Sequence, residues 1–266
     1  MSEIVTKGRK RLSVTVEQEK NGIVWFTICR PEKRNAIHYE VMDRLQETIE
    51  MVEKSETAKV LVITGEGEEA FCSGGDLSVF HQLTTKEEAY SMLAKMGNIL
   101  YSLLTLSKPT VALINGTAIG GGCELATACD FRYAKKGVRI GFVQANLAIT
   151  TGWGGATMLF EKMPYDEALH LLLCANMICA EEAEKRGWIH RCLSSSDLKE
   201  ECRQLLMPYL EKPSSVLSAY KQAATAKWKT KEFYERFFAE IERCATLWEG
   251  PEHEQAVQAF LTKKRN

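Results

Sequence analysis

The segment that most restricts the fold is INGTAIGGGCELATACD, residues 114–130, because it places three consecutive glycines between an apolar strand and a helix. Glycines are costly to order, so a run of them usually marks a place where another group approaches the backbone closely. Glu124 is the only charged residue before Asp130, and it falls at the expected first turn of the helix. The pattern predicts a site where backbone amides receive one part of a ligand and a carboxylate acts on another.

A related pattern occurs earlier in the chain. The apolar strand KVLVITG (59–65) precedes the glycine turn of FCSGGDLSVF, and TVALING (110–116) leads into the first segment. The order strand, glycine turn, helix therefore occurs at 60–80 and again at 110–128. If both turns lie at the ends of neighbouring strands, each can direct one unpaired amide at a common point. Two such amides would form an oxyanion hole for a carbonyl that becomes an enolate. Tight backbone packing alone is the alternative that the spacing leaves open.

The rest of the chain predicts an α/β core followed by helices. Two β-branched runs, 12–18 and 23–29, flank EKNG and predict a hairpin. Apolar residues recur with helical spacing over 38–54. After about residue 195 the pattern is helical and amphipathic throughout. We therefore divide the chain into a core, 1–195, and a helical region, 196–266.

Composition restricts the partners. A formal net charge of −1 argues against nucleic acid or an anionic membrane as a partner. No apolar run has the length of a membrane span, and no apolar signal core follows the basic start, so we expect a cytoplasmic protein. The nine cysteines form no CxxC pair, which predicts reduced, mostly buried thiols. The five histidines lack metal-ligand spacing, and neither a GK[ST] phosphate loop nor a GxGxxG dinucleotide turn is present.

Four segments together resemble the crotonase (enoyl-CoA hydratase/isomerase) superfamily. INGTAIGGGCELATACDFRYA and KVLVITGEGEEAFCSGGDLSVF are similar to its two glycine-turn segments. ICRPEKRNAI resembles its coenzyme A loop, and EHEQAVQAFLTKKR its C-terminal ending. The resemblance implies an α/β spiral of repeated ββα units with a helical trimerisation region. It also implies an acyl-CoA thioester substrate, no further cofactor, and a homotrimer or a dimer of trimers.

The resemblance also assigns site residues. Ser73 and Gly121 match the positions whose amides form the oxyanion hole, and Glu124 matches the first acid/base glutamate. Residues expected to contact the acyl-CoA are Lys33, Arg34, Ala36, Gly74, Gly75, Asp76, Asn146, Phe260 and Lys263. Lys33 and Arg34 would meet the phosphates of the nucleotide. Phe260 and Lys263 would reach the adenine and a phosphate at a neighbouring subunit's site.

The sequence departs from the family at the second catalytic glutamate. In IGFVQANLAITTGWGGATML, Phe142 anchors the match and Asn146 stands where hydratases carry this glutamate. An asparagine amide orients a water but cannot transfer a proton. Hydration benefits from two proton-handling groups, whereas decarboxylation of a malonyl-type thioester needs chiefly the oxyanion hole. We predict an enzyme of the enoyl-CoA hydratase type. The alternatives are a methylmalonyl- or ethylmalonyl-CoA decarboxylase and a catalytically idle CoA-binding protein.

The apolar face of one predicted helix in the C-terminal region indicates oligomerisation. EFYERFFAEIERCATLW carries a set of apolar residues on one face, which are Phe233, Phe237, Phe238 and Ile241. Exposed on a monomer, this face would be a larger apolar patch than most monomers carry. We therefore expect it to be covered in the trimer, with burial against the protein's own core as the alternative.

Overall fold

Two sheets carry the strands of the computed structural model, which describes residues 12–263. The strands are β1 (Val14–Gln18), β2 (Ile23–Ile28), β3 (Val60–Gly65), β4 (Ala70–Cys72), β5 (Thr110–Ile114), β6 (Thr117–Ile119), β7 (Phe131–Lys135), β8 (Arg139–Gly141), β9 (Ile178–Cys179) and β10 (Arg191–Leu193). The larger sheet has the order β1-β2-β3-β5-β7-β10 and the smaller one β4-β6-β8-β9. Neighbours are parallel except for the pairs β1–β2 and β8–β9.

Helices cover these sheets and fill the second half of the chain. They are α1 (Tyr39–Lys54), α2 (Leu77–Phe80), α3 (Lys86–Thr105), α4 (Gly121–Ala128), α5 (Gly155–Lys162), α6 (Tyr165–Cys174), α7 (Ala180–Lys185), α8 (Leu198–Leu210), α9 (Ser214–Thr225), α10 (Lys231–Trp248) and α11 (Pro251–Lys263). Among residues 12–263, no helix combines the length and the apolar character that crossing a bilayer requires.

A repeated unit organises the core. Each of the successive units β3-β4, β5-β6 and β7-β8 gives its first strand to the larger sheet and its second strand to the smaller sheet, and a helix follows. This is the predicted spiral of ββα units, so the predicted α/β fold is confirmed. Because β4 and β6 are parallel neighbours, the two glycine turns that follow them lie at the same edge of the smaller sheet.

The N-terminal elements agree with the sequence pattern. β1 and β2 form the predicted antiparallel hairpin, whose turn contains Gly22 at φ +96°. The apolar positions of α1 are buried against the sheet, as its helical spacing predicted; they are Val41, Leu45, Ile49 and Val52. All nine cysteines are free thiols, of which five are buried and one, Cys174, is exposed.

The helix predicted to expose an apolar patch instead packs inside its own chain. Phe233, Phe237 and Ile241 of α10 are at most 1% exposed and belong to the main hydrophobic core, while Phe238 is half-buried against it. The close approach of α10 to α3 requires Gly97, because a β-carbon there would overlap the side chain of Ile241. The expectation of an exposed patch is therefore wrong. The trimer stays a prediction that rests on the resemblance alone.

Candidate active site

The two glycine turns bring a pair of unpaired backbone amides together. Gly74 adopts φ +87°, and a β-carbon there would lie 3.0 Å from the amide nitrogen of Gly121. The amides of Gly75 and Gly121 donate to no acceptor in the part of the chain that the structure describes. Amides at such turns and helix starts are available to an external oxygen. Gly75 and Gly121 are therefore the candidate oxyanion-hole donors.

Ser73, predicted as the first of these donors, does not fit this geometry. Its amide donates to the carbonyl of Arg34 over 3.1 Å, and its hydroxyl lies 3.4 Å from the carbonyl of Lys33. Ser73 directly follows β4, and its backbone bonds to the neighbouring loop. The free amide comes only after the left-handed Gly74, and that conformation is not readable from the spacing of the motif.

The predicted coenzyme A loop lies alongside the first glycine turn. Ile37 donates from its amide to the carbonyl of Gly74, and Asp76 donates to Ile37, each over 2.8 Å. The side chains of Lys33 and Arg34 are exposed beside this junction, whereas Ala36 is buried. The loop thus lies against the first glycine turn, and contact of its two cations with phosphate stays a prediction.

An ion pair fixes this junction. Arg30 donates to the carbonyl of Ala36 over 2.5 Å and to Oδ2 of Asp76 over 2.6 Å. Oδ1 of Asp76 accepts from the amide and the hydroxyl of Ser78 at the start of α2. Both oxygens of Asp76 are therefore occupied within the chain, and its side chain holds the turn in place.

Glu124 lies in the first turn of α4, and its carboxyl group is buried under the start of α5. Its Oε2 accepts from the amides of Trp153 and Gly155 over 2.8 and 2.9 Å, and its Oε1 accepts from the amide of Gly152 over 3.3 Å. Burial first, and the nearby charge of Glu240 second, raise the pKa of Glu124 to about 8. The amides oppose this shift without cancelling it. Glu124 is consequently protonated for the most part at neutral pH.

The partner of Glu124 is Gln144 and not the predicted Asn146. Gln144 is buried in the short turn Gln144–Leu147 and donates from Nε2 to Oε1 of Glu124 over 2.9 Å. Asn146 is exposed and donates instead to the carbonyl of Ala175 over 2.8 Å. The prediction of Asn146 at this position is wrong, because the side chain that reaches Glu124 is that of Gln144, two residues earlier in the same turn.

The side-chain oxygen of Gln144 differs from its nitrogen in having no partner among the described residues. Its Oε1 is buried and has no hydrogen-bond partner among residues 12–263. An amide offers both donors and an acceptor, so this side chain can pair with either form of a carboxyl group. At this position it supplies orientation without a second titrating group.

Trp153 forms an apolar wall beside the candidate oxyanion hole. A β-carbon on Gly121 would overlap its ring, and one on Gly75 would lie 3.7 Å from the ring. Phe80 of α2 closes the other side of Gly75, at 3.1 Å from such a β-carbon. The sequence reasoning missed Trp153, although its place in GWGG next to the expected second acid was a usable signal.

A cysteine and a histidine that lie near the two glycine turns in the sequence have structural roles. Cys123 is buried and donates to the carbonyl of Ala118 over 3.2 Å, and burial raises the pKa of its thiol, so it is a core residue and not a nucleophile. His81 ends α2 with its Nδ1 at 2.8 Å from the carbonyl of Leu77, at the exposed surface. The side chains of Phe260 and Lys263 lie outside the described residues.

A ββα spiral that sets a buried carboxyl group beside two free glycine amides is the arrangement expected of an acyl-CoA enzyme of the crotonase type. The family model for enoyl-CoA hydratase/isomerase matches residues 18–266, and the chain belongs to this family.

Individual relatives differ in their named activity. An ethylmalonyl-CoA decarboxylase of Gallus gallus is 35% identical over 248 residues, which cover 92% of this chain and 83% of the relative. A crotonyl-CoA hydratase of Syntrophomonas wolfei is 27% identical over 254 residues, covering 95% and 96%. The crystal structure of an enoyl-CoA hydratase from Bacillus halodurans superposes with a TM-score of 0.85 at 24% identity, covering 93% of this chain and 99% of that one.

Proposed function

We propose that this protein decarboxylates a short malonyl-type CoA thioester, such as a 2-alkylmalonyl-CoA. The observation that carries the proposal is the pairing of Glu124 with the amide of Gln144 where a hydratase has a second carboxylate. Loss of CO2 itself generates the enolate of the thioester. The reaction then needs charge stabilisation and a proton, and it needs no base to activate water.

The steps assign one role to each part of the site. The thioester oxygen accepts hydrogen bonds from the amides of Gly75 and Gly121. The bond between the α-carbon and the carboxylate breaks, CO2 leaves, and the electron pair forms the enolate, whose oxygen these amides stabilise. Glu124 donates its proton to the α-carbon and gives an acyl-CoA. A proton from solvent then restores Glu124.

Gln144 supports both protonation states of Glu124. Its Nε2 donates to the carboxylate formed after proton transfer. When its amide rotates by a half-turn, its Oε1 accepts from the protonated acid, since oxygen and nitrogen exchange places. A glutamate at this position would instead add a like charge next to Glu124 and raise the cost of the ionised state.

The apolar wall favours the same chemistry. Trp153 and Phe80 flank Gly75, so a carboxylate on the α-carbon would lie against aromatic rings. Burial against such surfaces disfavours a charged carboxylate far more than neutral CO2. Lys33 and Arg34, exposed on the adjoining loop, are proposed to bind the phosphates of coenzyme A.

Hydration, the activity first expected from the sequence, has weaker support in the site. A relative at 27% identity is named a crotonyl-CoA hydratase. However, hydration requires a base for the water, and neither the amide of Gln144 nor a protonated Glu124 supplies one.

The resemblance to the family also supports a proposal for the assembly. We propose a homotrimer or a dimer of trimers, in which Phe260 and Lys263 reach the coenzyme A of a neighbouring subunit. Sedimentation velocity tests this oligomeric state.

The test offers the enzyme ethylmalonyl-CoA, methylmalonyl-CoA and crotonyl-CoA in separate reactions followed by mass spectrometry. The expected result is butyryl-CoA from ethylmalonyl-CoA, carrying one deuterium at the α-carbon in D2O, and little hydration of crotonyl-CoA. Hydration that outpaces decarboxylation would favour the hydratase. Binding of butyryl-CoA in calorimetry without turnover of any of the three would favour the idle CoA-binding protein.

A further inference from the structure

A second buried carboxyl group lies at the start of α5. Glu240, on α10, is 4% exposed, and the proposed decarboxylation gives it no role. Its Oε1 accepts from the hydroxyl of Thr151 over 2.5 Å and from the amide of Ala156 over 3.0 Å. Its Oε2 accepts from the amide of Thr157 over 2.6 Å. Glu240 and Glu124 therefore divide the free amides of one helix start between them.

The surroundings offer little compensation for two negative charges. The positive end of a helix dipole is equivalent to roughly half an elementary charge. Within residues 12–263, neither Glu124 nor Glu240 forms an ion pair with a lysine, an arginine or a histidine. One of the two carboxyl groups consequently retains a proton at neutral pH.

The other groups around Glu240 leave this charge balance unchanged. Cys244, one turn further along α10, is a buried thiol whose pKa is raised mainly by burial, so it stays neutral. From α3, the side chain of Leu93 lies next to Gly152, in the loop before α5. From α5, the backbone amides of Ala156 and Thr157 face Glu240. The neighbouring charged residues of α10, Arg236, Glu242 and Arg243, are exposed, and Arg236 pairs with Glu161 and Glu242 with Lys86.

Hydrogen bonds and charge together indicate which group ionises first. Both oxygens of Glu240 accept hydrogen bonds from the loop and the start of α5, and one of the donors is the hydroxyl of Thr151. Burial raises the pKa of both Glu240 and Glu124, and the charge of Glu240 is the second cause of the rise at Glu124. We therefore assign the first ionisation to Glu240 and the retained proton to Glu124.

α10 also braces the loop that carries these amides. Gly152 lies against the thiol of Cys244, and Gly154 lies against the ring of Phe237, so closely that a β-carbon would overlap it. Glu240 falls between these two contacts on the same face of α10. A helix far away in sequence thus fixes the loop from Thr151 to Gly155, whose amides bind Glu124.

We propose that Glu240 is a positioning residue, which holds the start of α5 in place and whose negative charge keeps the proton on Glu124. The use of that proton rests on the proposed decarboxylation. The electrostatic coupling of the two carboxyl groups does not depend on it, so the two are tested separately.

The test is a pH titration of the full-length protein labelled with carboxyl-¹³C glutamate and observed by NMR. The signals of Glu124 and Glu240 are assigned from Glu124→Gln and Glu240→Gln. The carboxyl group that ionises second feels the charge of the first. We expect Glu240→Gln to lower the midpoint of Glu124 by about one pH unit or more, and Glu124→Gln to leave the midpoint of Glu240 nearly unchanged. The opposite asymmetry, or no shift in either variant, overturns the proposal.

A matched control separates charge from helix position. Phe237→Leu disturbs the same contact between α10 and the loop without changing any charge. We expect it to lower the melting temperature and to leave the Glu124 midpoint in place; a shift as large as that of Glu240→Gln would contradict the role of charge. If Glu240→Gln does not fold, the Glu124→Gln titration still decides, because a fall in the Glu240 midpoint overturns the proposal. Absence of turnover with every malonyl-type substrate would refute the decarboxylation alone.

Discussion

Gln144 donates a hydrogen bond from Nε2 to Oε1 of Glu124 over 2.9 Å, and both side chains are buried. The pair joins a group that can gain or lose a proton to an amide that cannot. A site with one titrating group at this point is suited to protonating an enolate, and poorly suited to moving one proton onto carbon while another leaves water.

Gln144→Glu tests the asymmetry directly. The second carboxyl group lies at hydrogen-bond distance from Glu124, so one proton is shared and one group becomes a base. We expect decarboxylation to fall by about tenfold or more and hydration of crotonyl-CoA to become measurable. Asn146→Glu is the matched control, because that side chain is exposed and bonds to Ala175. Hydration gained by Asn146→Glu and not by Gln144→Glu would restore the assignment first made from the sequence.

Glu124→Gln removes the proton donor and keeps the shape of the side chain. We expect the turnover number to fall by about 10²- to 10⁴-fold, as is typical for loss of general acid catalysis, with butyryl-CoA affinity within about threefold of wild type. Single-turnover kinetics and calorimetry measure the two quantities. Wild-type turnover, or deuterium incorporation at an unchanged rate, would show that another group delivers the proton.

The pH dependence follows from the raised pKa of Glu124, about 8. The folded protein holds a proton there that the unfolded chain releases above its ordinary carboxyl pKa. Rising pH between these values therefore favours unfolding, by up to about 1.4 kcal/mol per pH unit. We expect the free energy of unfolding to fall from pH 5 to pH 8 more steeply in wild type than in Glu124→Gln. Turnover should also decline as the pH rises through 8. Parallel stability curves in urea titrations would contradict the assignment.

The sequence predicted the repeated unit of the fold and missed details of backbone conformation. Glycine turns after apolar strands predicted that two backbone turns meet near Glu124, and the resemblance to the crotonase superfamily implied the spiral and the position of Gly121. Gly75 was named for ligand contact, but its unpaired amide depends on the left-handed Gly74. The approach of Glu240 depends on the packing of α10 against a loop almost ninety residues earlier, which the chain order does not reveal. The apolar face of α10 was identified, but periodicity alone cannot tell burial in the same chain from burial in a partner.

The oxyanion hole is tested by Gly121→Ala. The added methyl group would overlap the ring of Trp153, so the turn must shift and its amide with it. Loss of one such donor lowers turnover by about 10²- to 10³-fold. Ser73→Ala should remain within about twofold of wild type, because the Ser73 amide is bonded to Arg34 and its hydroxyl bond is long. A Gly121→Ala enzyme with full turnover would exclude this amide from the reaction.

Arg30 and Asp76 hold the predicted coenzyme A loop against the glycine turn, and their partly buried ion pair makes a separate prediction. Their side chains are 11% and 5% exposed. Removing one partner of a fully buried pair typically costs about 3–5 kcal/mol, and the partial exposure of Arg30 reduces this cost. We expect Asp76→Ala to lose part of this amount in stability and also to weaken acyl-CoA binding, because Arg30 no longer bridges Ala36 to the turn. Lys33→Ala, at an exposed position on the same loop, should weaken binding of butyryl-CoA with little change in the free energy of unfolding. Urea titrations measure the stability of the two variants, and calorimetry measures their affinity for butyryl-CoA. Asp76→Ala should misplace the loop, whereas Lys33→Ala should only remove a phosphate contact. Equal losses of stability in both variants would contradict this difference.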